Sequence, residues 1–208
     1  MTADALLAEM PLVAILRGVT PSRIEGVAAA LFDAGVRAIE VPLNSPEPFK
    51  SIEMLAKIYG ERCLTGAGTV LDVANVDRVA NAGGKLLVTP NTNPAVIAHG
   101  VELGMTAMPG FYTPSEGFAA AAAGARYLKL FPASTGGIDH LKAMLAVLPK
   151  DVPVYAVGGV GAANMAEWRK AGAAGFGLGS ELFKPNFTDA EIATRAKACV
   201  TAFKAAAA

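Results

Sequence analysis

Residues 127–132 read Tyr-Leu-Lys-Leu-Phe-Pro, a short apolar run with one lysine, Lys129, in its middle. A short apolar run that is followed by a helical stretch is typical of a buried β-strand. Seven further runs have the same character, and the eight starting residues lie 20 to 27 positions apart. The predicted strands are Leu12–Gly18, Ala38–Leu43, Leu64–Val70, Leu86–Pro90, Thr106–Gly110, Tyr127–Pro132, Val154–Val160 and Gly175–Ser180.

Eight strand–helix units that follow one another without a gap predict a parallel (β/α)8 TIM barrel with a short N-terminal helix. No linker interrupts the pattern, so a single domain is expected over residues 1–208. The alternative is an open, doubly wound parallel sheet, although eight regular units are more than such sheets usually need.

Helix-start signals lie between the predicted strands. Thr113 and Glu116 have the spacing of a capping box. Ser45 before Pro46 predicts a capping hydroxyl ahead of a proline at the first helical position.

Composition excludes several classes of partner. Hydrophobic residues make up 53% and charged residues 17% of the chain, which is typical of a globular protein. Eighteen basic and eighteen acidic residues give zero formal charge without a basic stripe, which argues against a nucleic-acid partner. Pro, Gly or charge interrupts each apolar stretch before it is long enough to cross a membrane. The N-terminus lacks a signal-peptide pattern, and the two distant cysteines favour a reduced cytoplasmic setting.

Residues that bind metals or nucleotides are scarce. With two histidines and two distant cysteines, no metal cluster is expected, which argues against a zinc-dependent aldol reaction. His99 and His140 fall on predicted helices and are interpreted as surface residues. No glycine-rich nucleotide motif follows a predicted strand in the required context, so no nucleotide cofactor is expected.

The barrel gives each strand residue a direction, because side chains alternate between the interior and the helix layer. If Leu128 and Leu130 face the helices, Lys129 and Phe131 face inward. By the same argument, Glu40 of the second predicted strand faces inward. The sequence therefore predicts a lysine and a glutamate in one interior of low dielectric constant.

A buried lysine of this kind can be a nucleophile, because burial lowers the amine pKa and the neutral amine condenses with a carbonyl group. An imine formed with a 2-keto acid permits cleavage of the C3–C4 bond, and Glu40 could act as base and then as acid. The alternative is a structural ion pair between Lys129 and Glu40. An ionised Glu40 would raise the lysine pKa while burial lowers it.

Polar and glycine residues follow the predicted strands at the end where this fold places its active sites. Arg17 could clamp a carboxylate, or could form a salt bridge at the rim. Gly158 and Gly159 close the seventh strand, and Gly179 and Ser180 close the eighth. These two loops predict a phosphate site, with Glu181–Phe183 as a candidate short extra helix. The alternative is two glycine turns that geometry alone requires.

The chain resembles the KDPG/KDPGal aldolase family over nearly its whole length, with the motifs in the family's order. The segments that carry the resemblance are Leu16–Gly18, Ile39–Pro46, Gly66–Leu71, Val88–Asn91, Leu128–Pro132 and Ala156–Val160. The resemblance implies a class I aldolase that needs no metal and splits a phosphorylated 2-keto-3-deoxy sugar acid into pyruvate and glyceraldehyde 3-phosphate. It also implies a homotrimer.

Residue roles follow from the same resemblance. Lys129 matches the Schiff-base lysine and Glu40 the general acid/base. Thr69 and Pro90 match residues that line the pyruvate site, and Phe131 matches a pocket aromatic. The phosphate loops are matched by Gly158, Gly159, Gly179 and Ser180.

Two positions favour the galactonate branch of the family and hence a role in galactonate catabolism. Gluconate-type members usually have Arg-Thr where this chain has Asn44-Ser45, so Arg17 is expected to take over carboxylate binding. They also tend to have Thr where this chain has Val157. The two substrates differ only in configuration at C4, so one hydroxyl contact could decide between them.

Three alternatives stay open. One is cleavage of the gluconate epimer, of both epimers or of a substrate without phosphate. A second is a barrel epimerase or isomerase of phosphorylated sugars, which shares the phosphate loops and would not need Lys129. A third is a sugar-phosphate binding protein without enzymatic activity, which would bind its ligand without releasing pyruvate.

Overall fold

The structure, a computed structural model, describes residues 1–206. The strands are β1 (Leu12–Ile15), β2 (Ala38–Pro42), β3 (Leu64–Gly68), β4 (Leu86–Val88), β5 (Thr106–Met108), β6 (Gly110–Phe111), β7 (Leu128–Leu130), β8 (Val154–Val157) and β9 (Gly175–Leu178). The helices are α1 (Ala3–Glu9), α2 (Pro21–Ala34), α3 (Pro48–Tyr59), α4 (Val73–Asn81), α5 (Pro94–Glu102), α6 (Pro114–Ala122), α7 (Ala133–Val147), α8 (Met165–Lys170) and α9 (Asp189–Ala205).

All strand pairings within the described chain are parallel, in the order β5-β4-β3-β2-β1-β9-β8-β7-β6. The two outermost strands, β5 and β6, are the two parts of the fifth predicted strand, separated by Pro109. Backbone bonds continue across this break, from Gly110 N to Thr89 O (3.0 Å) and from Lys129 N to Pro109 O (2.9 Å). The strands thus close on themselves, which confirms the TIM barrel and excludes the open sheet.

Seven of the eight predicted strands end earlier than predicted, whereas the fifth extends one residue further, to Phe111 of β6. The predicted seventh strand extends to Val160, but β8 ends at Val157, because Gly158 and Gly159 have φ values of +97° and +76°. These values lie in the left-handed region, where the backbone leaves the β-ladder. The glycines therefore belong to loops at the carboxyl end of the barrel.

Side-chain alternation divides the core into two layers, as predicted. Ile39 and Leu128 belong to the layer between barrel and helices. A second cluster fills the amino-terminal end of the barrel interior and joins Tyr155 with residues of other strands and of α1. The predicted N-terminal helix closes this end: Tyr127 donates a hydrogen bond of 2.8 Å to Asp4.

Capping residues fix the helix starts on the scaffold. The predicted capping box of Thr113 and Glu116 is present at α6, and Thr188 and Glu191 form a second one at α9. Within residues 1–206, no helix is long and apolar enough to cross a membrane.

The Thr188 cap should stabilise the fold measurably. Replacing Thr188 by Ala removes a side-chain acceptor from the first turn of α9 and should lower the free energy of unfolding by about 1 kcal/mol. Thr201→Ala is the matched control, because Thr201 is exposed in the interior of the same helix, where alanine is favourable. Urea unfolding measures both variants. Equal stability of the two would contradict the capping role.

Candidate active site

Lys129 and Glu40 lie inside the barrel, as alternation predicts. Lys129 stands in the middle of β7 and is 7% exposed, while Glu40 in β2 is 2% exposed. In the strand register, Lys129 lies beside Tyr155 of β8, which occupies the barrel interior. Lys129 Nζ is 4.7 Å from the centroid of the Phe131 ring, so Phe131 lies beside the amine.

A glycine makes room for the Glu40 carboxyl group. A Cβ on Gly68, the last residue of β3, would lie 2.1 Å from Glu40 Oε2. Any other residue at this position would force the carboxyl group to move. Among the residues that the structure describes, Glu40 Oε2 has no hydrogen-bond partner although it is buried. A buried oxygen without a hydrogen-bond partner lowers the stability of the fold, and such atoms are often found in groups with a catalytic role.

Burial dominates the electrostatics of this pair. It raises the pKa of Glu40 to about 7, against the opposing effect of the Lys129 and Arg17 cations. It also lowers the pKa of Lys129, an effect that Glu40 opposes and Arg17 reinforces. Both groups are thereby driven toward their neutral forms, because a low-dielectric interior disfavours charge.

The alternative of a structural ion pair is wrong for this geometry. Within the described chain, no nitrogen–oxygen distance of 4.0 Å or less joins Lys129 to Glu40. The two groups influence each other's pKa without being in contact. The amine and the carboxyl group are therefore close enough to interact electrostatically but are not bonded to each other.

Arg17 follows β1 and its side chain is exposed at the carboxyl end of the barrel. Its Nη1 donates a hydrogen bond of 2.6 Å to Asn44 Oδ1. The guanidinium forms no ion pair with a carboxylate of residues 1–206, which contradicts the alternative of a rim salt bridge.

Ser45 does not cap a helix, so that prediction is wrong. Helix α3 begins at Pro48, and the Ser45 hydroxyl instead accepts a hydrogen bond of 2.9 Å from Gly18 N. The Ser45 hydroxyl thereby satisfies the backbone N–H of Gly18, the residue after Arg17, at the mouth of the barrel.

Thr69, Pro90 and Phe131 each follow or end a strand at the same face of the barrel. Thr69 comes directly after β3 with a φ of +59°, a strained value for a β-branched residue. The Pro90 carbonyl oxygen would lie 2.3 Å from a Cβ on Gly110, so only glycine permits this approach of β6. All three residues are partly exposed, and the Phe131 ring lies near Lys129.

The two glycine loops are neighbours, because β8 and β9 pair with Val157 beside Gly177. Val157 is 4% exposed and points into the barrel, in the same direction as Tyr155 two residues earlier. A Cβ on Gly179 would meet no atom within 4 Å in the described part of the chain. The loops therefore leave open space beside Ser180, which is exposed.

The candidate short helix at residues 181–183 is absent, and that prediction is wrong. Leu182 N and Phe183 N both donate to Gly179 O at 2.9 Å, which makes a single turn. Pro185, close behind this turn, lacks a backbone N–H and prevents the continuation of the turn as a helix.

Both histidines lie on helices, His99 on α5 and His140 on α7, and each is partly buried. His99 Nε2 is 2.6 Å from Asp77 Oδ1, and His140 Nε2 is 2.8 Å from Tyr112 O. Across residues 1–206, no group of three or more His, Cys, Asp or Glu side chains is arranged to hold a metal ion.

Residues 3–199 match the family of KDPG and KHG aldolases. The chain belongs to this aldolase family.

Two relatives cover almost the whole chain. A probable 2-dehydro-3-deoxy-6-phosphogalactonate aldolase of Rhizobium meliloti is 51% identical over 95% of this chain and 93% of its own. The 2-dehydro-3-deoxy-6-phosphogalactonate aldolase of Escherichia coli is 46% identical over 95% of this chain and 97% of its own.

Solved structures show the same fold. A native KDPGal structure superposes with a TM-score of 0.94 at 46% identity, covering 96% of this chain and 97% of its own. The KDPG aldolase of Legionella pneumophila, with pyruvate captured as a covalent carbinolamine intermediate, superposes with a TM-score of 0.86 at 26% identity. It covers 96% of this chain and 98% of its own.

Some residues that shape this aldolase-family barrel were not predicted as site residues. Gly68 and Gly110 permit close approaches that appear only when strands are paired. Asn44 and Ser45 hold the loop that carries Arg17. For Asn44 and Ser45, the sequence contains one indication of a role in the site: they are polar residues that follow a predicted strand at its carboxyl end.

The raised pKa of Glu40 should make stability depend on pH. Between the ordinary value of 4.5 and about 7, the folded aldolase binds a proton that the unfolded chain has lost, so stability falls as pH rises. In a Lys129→Met background, where the opposing cation is gone, Glu40→Gln should remove this fall. The free energy of unfolding of the double variant, relative to that of Lys129→Met alone, should therefore increase by on the order of 3 kcal/mol between about pH 4.5 and about pH 8.

Urea unfolding across this pH range tests the expectation. Glu53→Gln in the same background is the matched control, because Glu53 is exposed on α3. A difference between the Glu40→Gln variant and its background that does not change with pH would show that the Glu40 pKa is not raised.

Proposed function

We propose that the protein is a class I aldolase that cleaves 2-dehydro-3-deoxy-6-phosphogalactonate to pyruvate and glyceraldehyde 3-phosphate. The observation that carries the proposal is the burial of Lys129 beside, but not in contact with, the unpaired carboxyl group of Glu40. A lysine with a lowered pKa has more of its amine in the neutral, nucleophilic form, and a carboxyl group with a pKa of about 7 can both give and take a proton.

The reaction follows from these two groups. The neutral Lys129 amine adds to the C2 carbonyl carbon, the neutral carboxyl group of Glu40 gives a proton to the departing hydroxyl group, and loss of water leaves a protonated imine and an ionised Glu40. Ionised Glu40 takes the proton of the C4 hydroxyl group, the C3–C4 bond breaks, and its electron pair moves toward the imine nitrogen. Glyceraldehyde 3-phosphate leaves. Glu40 then returns its proton to C3 of the enamine, which restores the protonated imine, and addition of water releases pyruvate and the neutral amine while Glu40 takes up the proton set free.

The remaining site residues are proposed to bind the two ends of the substrate. Arg17 has free N–H donors for the C1 carboxylate, because its charge is not paired within residues 1–206. Thr69, Pro90 and Phe131 surround the pyruvate portion, and the ring of Phe131 lies against Lys129.

The phosphate is proposed to bind to backbone N–H groups of Gly158, Gly159 and Gly179 and to the Ser180 hydroxyl. The left-handed backbone of Gly158 and Gly159 and the empty space at Gly179 support this role. Consecutive backbone N–H groups in such loops form concave anion sites. No helix N-terminus completes the site after β9, so backbone and hydroxyl donors are its main components.

The galactonate epimer is favoured over its gluconate epimer by two observations. The two relatives that match this chain at 46% and 51% identity are named for phosphogalactonate. Val157, which points into the barrel, offers no hydroxyl group at the position where gluconate-type members tend to have threonine. Cleavage of the gluconate epimer, or of both, remains the second candidate, since KHG/KDPG aldolases belong to the same family.

The chemistry is proposed to need no metal, as in other class I aldolases. The homotrimer, the cytoplasmic location and the single domain over residues 1–208 stay predictions. They rest on the resemblance and on the composition.

Pyruvate should become attached to Lys129 under reducing conditions. Incubation with pyruvate and borohydride should add one reduced pyruvyl group, located on Lys129 by peptide mass spectrometry, because borohydride reduces the imine to a stable amine. Lys129→Met should prevent labelling and lower kcat for cleavage by at least about a thousandfold. Lys85→Met is the matched control, since Lys85 is exposed and directly precedes β4.

Labelling that persists in the Lys129→Met variant would refute the Schiff base. Retained turnover of a phosphorylated sugar without pyruvate release would instead support the epimerase or isomerase. Ligand binding without any turnover would support the binding protein.

Epimer preference should depend on Val157. The wild-type enzyme should show a higher kcat/KM for the galactonate epimer, and Val157→Thr should shift the ratio about tenfold toward the gluconate epimer, because it adds one hydroxyl donor. Val157→Ala controls for the change in volume and should leave the ratio near the wild-type value. An equal shift in both variants would contradict recognition by a hydroxyl group.

A further inference from the structure

The backbone on both sides of Arg17 is fixed by β2 and the turn that follows it. Before Arg17, Leu16 N donates to Glu40 O at 3.0 Å. After it, Gly18 N donates to the Ser45 hydroxyl at 2.9 Å. The residue that carries the guanidinium therefore has little freedom, and its register is tied to that of Glu40.

The turn that carries Asn44 is fixed in the same way. Leu43 N donates to Gly68 O of β3 at 2.8 Å, and Ser45 N donates to Pro42 O at 2.9 Å. Asn44 lies between these two bonds, so its side chain projects from a rigid support. The support includes Gly68, which also makes room for the Glu40 carboxyl group.

The side chain of Arg17 would be mobile without Asn44, because it is long and exposed. An arginine has only donors, so the atom of Asn44 that lies 2.6 Å from Nη1 is its amide oxygen. This bond uses one of five N–H donors. Because asparagine is neutral, it holds the guanidinium without cancelling the charge that a bound carboxylate needs.

We propose that Asn44 is a positioning residue: its amide oxygen orients the Arg17 guanidinium so that the free N–H donors face the carboxylate of the keto-acid substrate. The inference rests on the proposed function, in which Arg17 binds the C1 carboxylate. It adds to that function a residue which touches no substrate and acts only through Arg17.

Condensation kinetics with pyruvate and glyceraldehyde 3-phosphate provide the test. Asn44→Ala should raise KM for pyruvate by about three- to tenfold, the effect of losing one hydrogen bond to a charged group, and leave KM for glyceraldehyde 3-phosphate unchanged. Arg17→Ala should raise KM for pyruvate further. Asn81→Ala is the matched control, because Asn81 is exposed at the end of α4, at the opposite end of the barrel, and should behave as wild type.

The double variant distinguishes positioning from a general structural effect. If Asn44 acts only through Arg17, Asn44→Ala should add nothing in an Arg17→Ala background. Asn44→Asp should also raise KM for pyruvate, although it can still hold Arg17, because its carboxylate competes with the substrate carboxylate. A rescue of wild-type KM by Asn44→Asp would overturn the need for a neutral partner.

The outcomes separate this inference from the function on which it rests. Additive effects of the two substitutions, or a wild-type KM for pyruvate in Asn44→Ala while Arg17→Ala is impaired, would overturn the positioning role alone. An unchanged KM for pyruvate in Arg17→Ala would overturn both the carboxylate role of Arg17 and the role of Asn44.

Discussion

The removal of Lys129 and Glu40 from water is the constraint on which the rest of the site depends. Desolvation pushes the amine and the carboxyl group toward their neutral forms. An intimate ion pair would largely restore the charges, and the two groups avoid it by remaining separated within the described structure. The protein therefore retains a destabilising arrangement, which is typical of a group whose reactivity is needed.

Close backbone approaches make this arrangement possible. Glycine at position 68 leaves the volume that the Glu40 carboxyl group occupies, and glycine at position 110 lets the barrel close against Pro90. The same principle applies at the opposite side of the mouth, where left-handed glycines turn the chain immediately after β8. Glycine residues thus leave room at the carboxyl end of the barrel, while Tyr155 and α1 fill the amino-terminal end.

Among the proposed substrate-binding residues at the mouth of the barrel, Arg17 is the one that carries a positive charge. The chain has zero formal charge, so the proposed anion binding rests on local groups and not on the net charge. Arg17 supplies one oriented cation, held by a neutral amide, and lowers the pKa of both buried groups. For a proposed substrate with a carboxylate at one end and a phosphate at the other, one guanidinium and a set of backbone donors are complementary.

The sequence by itself determined the eight strand–helix units, the inward direction of Lys129 and Glu40 and the loops at the carboxyl end. These features follow from local periodicity and from turn residues, which act over a few positions. Only the tertiary structure decided that Lys129 and Glu40 are not an ion pair, that the Ser45 hydroxyl accepts a hydrogen bond from Gly18 N and that residues 181–183 form a turn. Each of these depends on distances between segments far apart in the chain, which closure of the barrel fixes and local pattern does not contain.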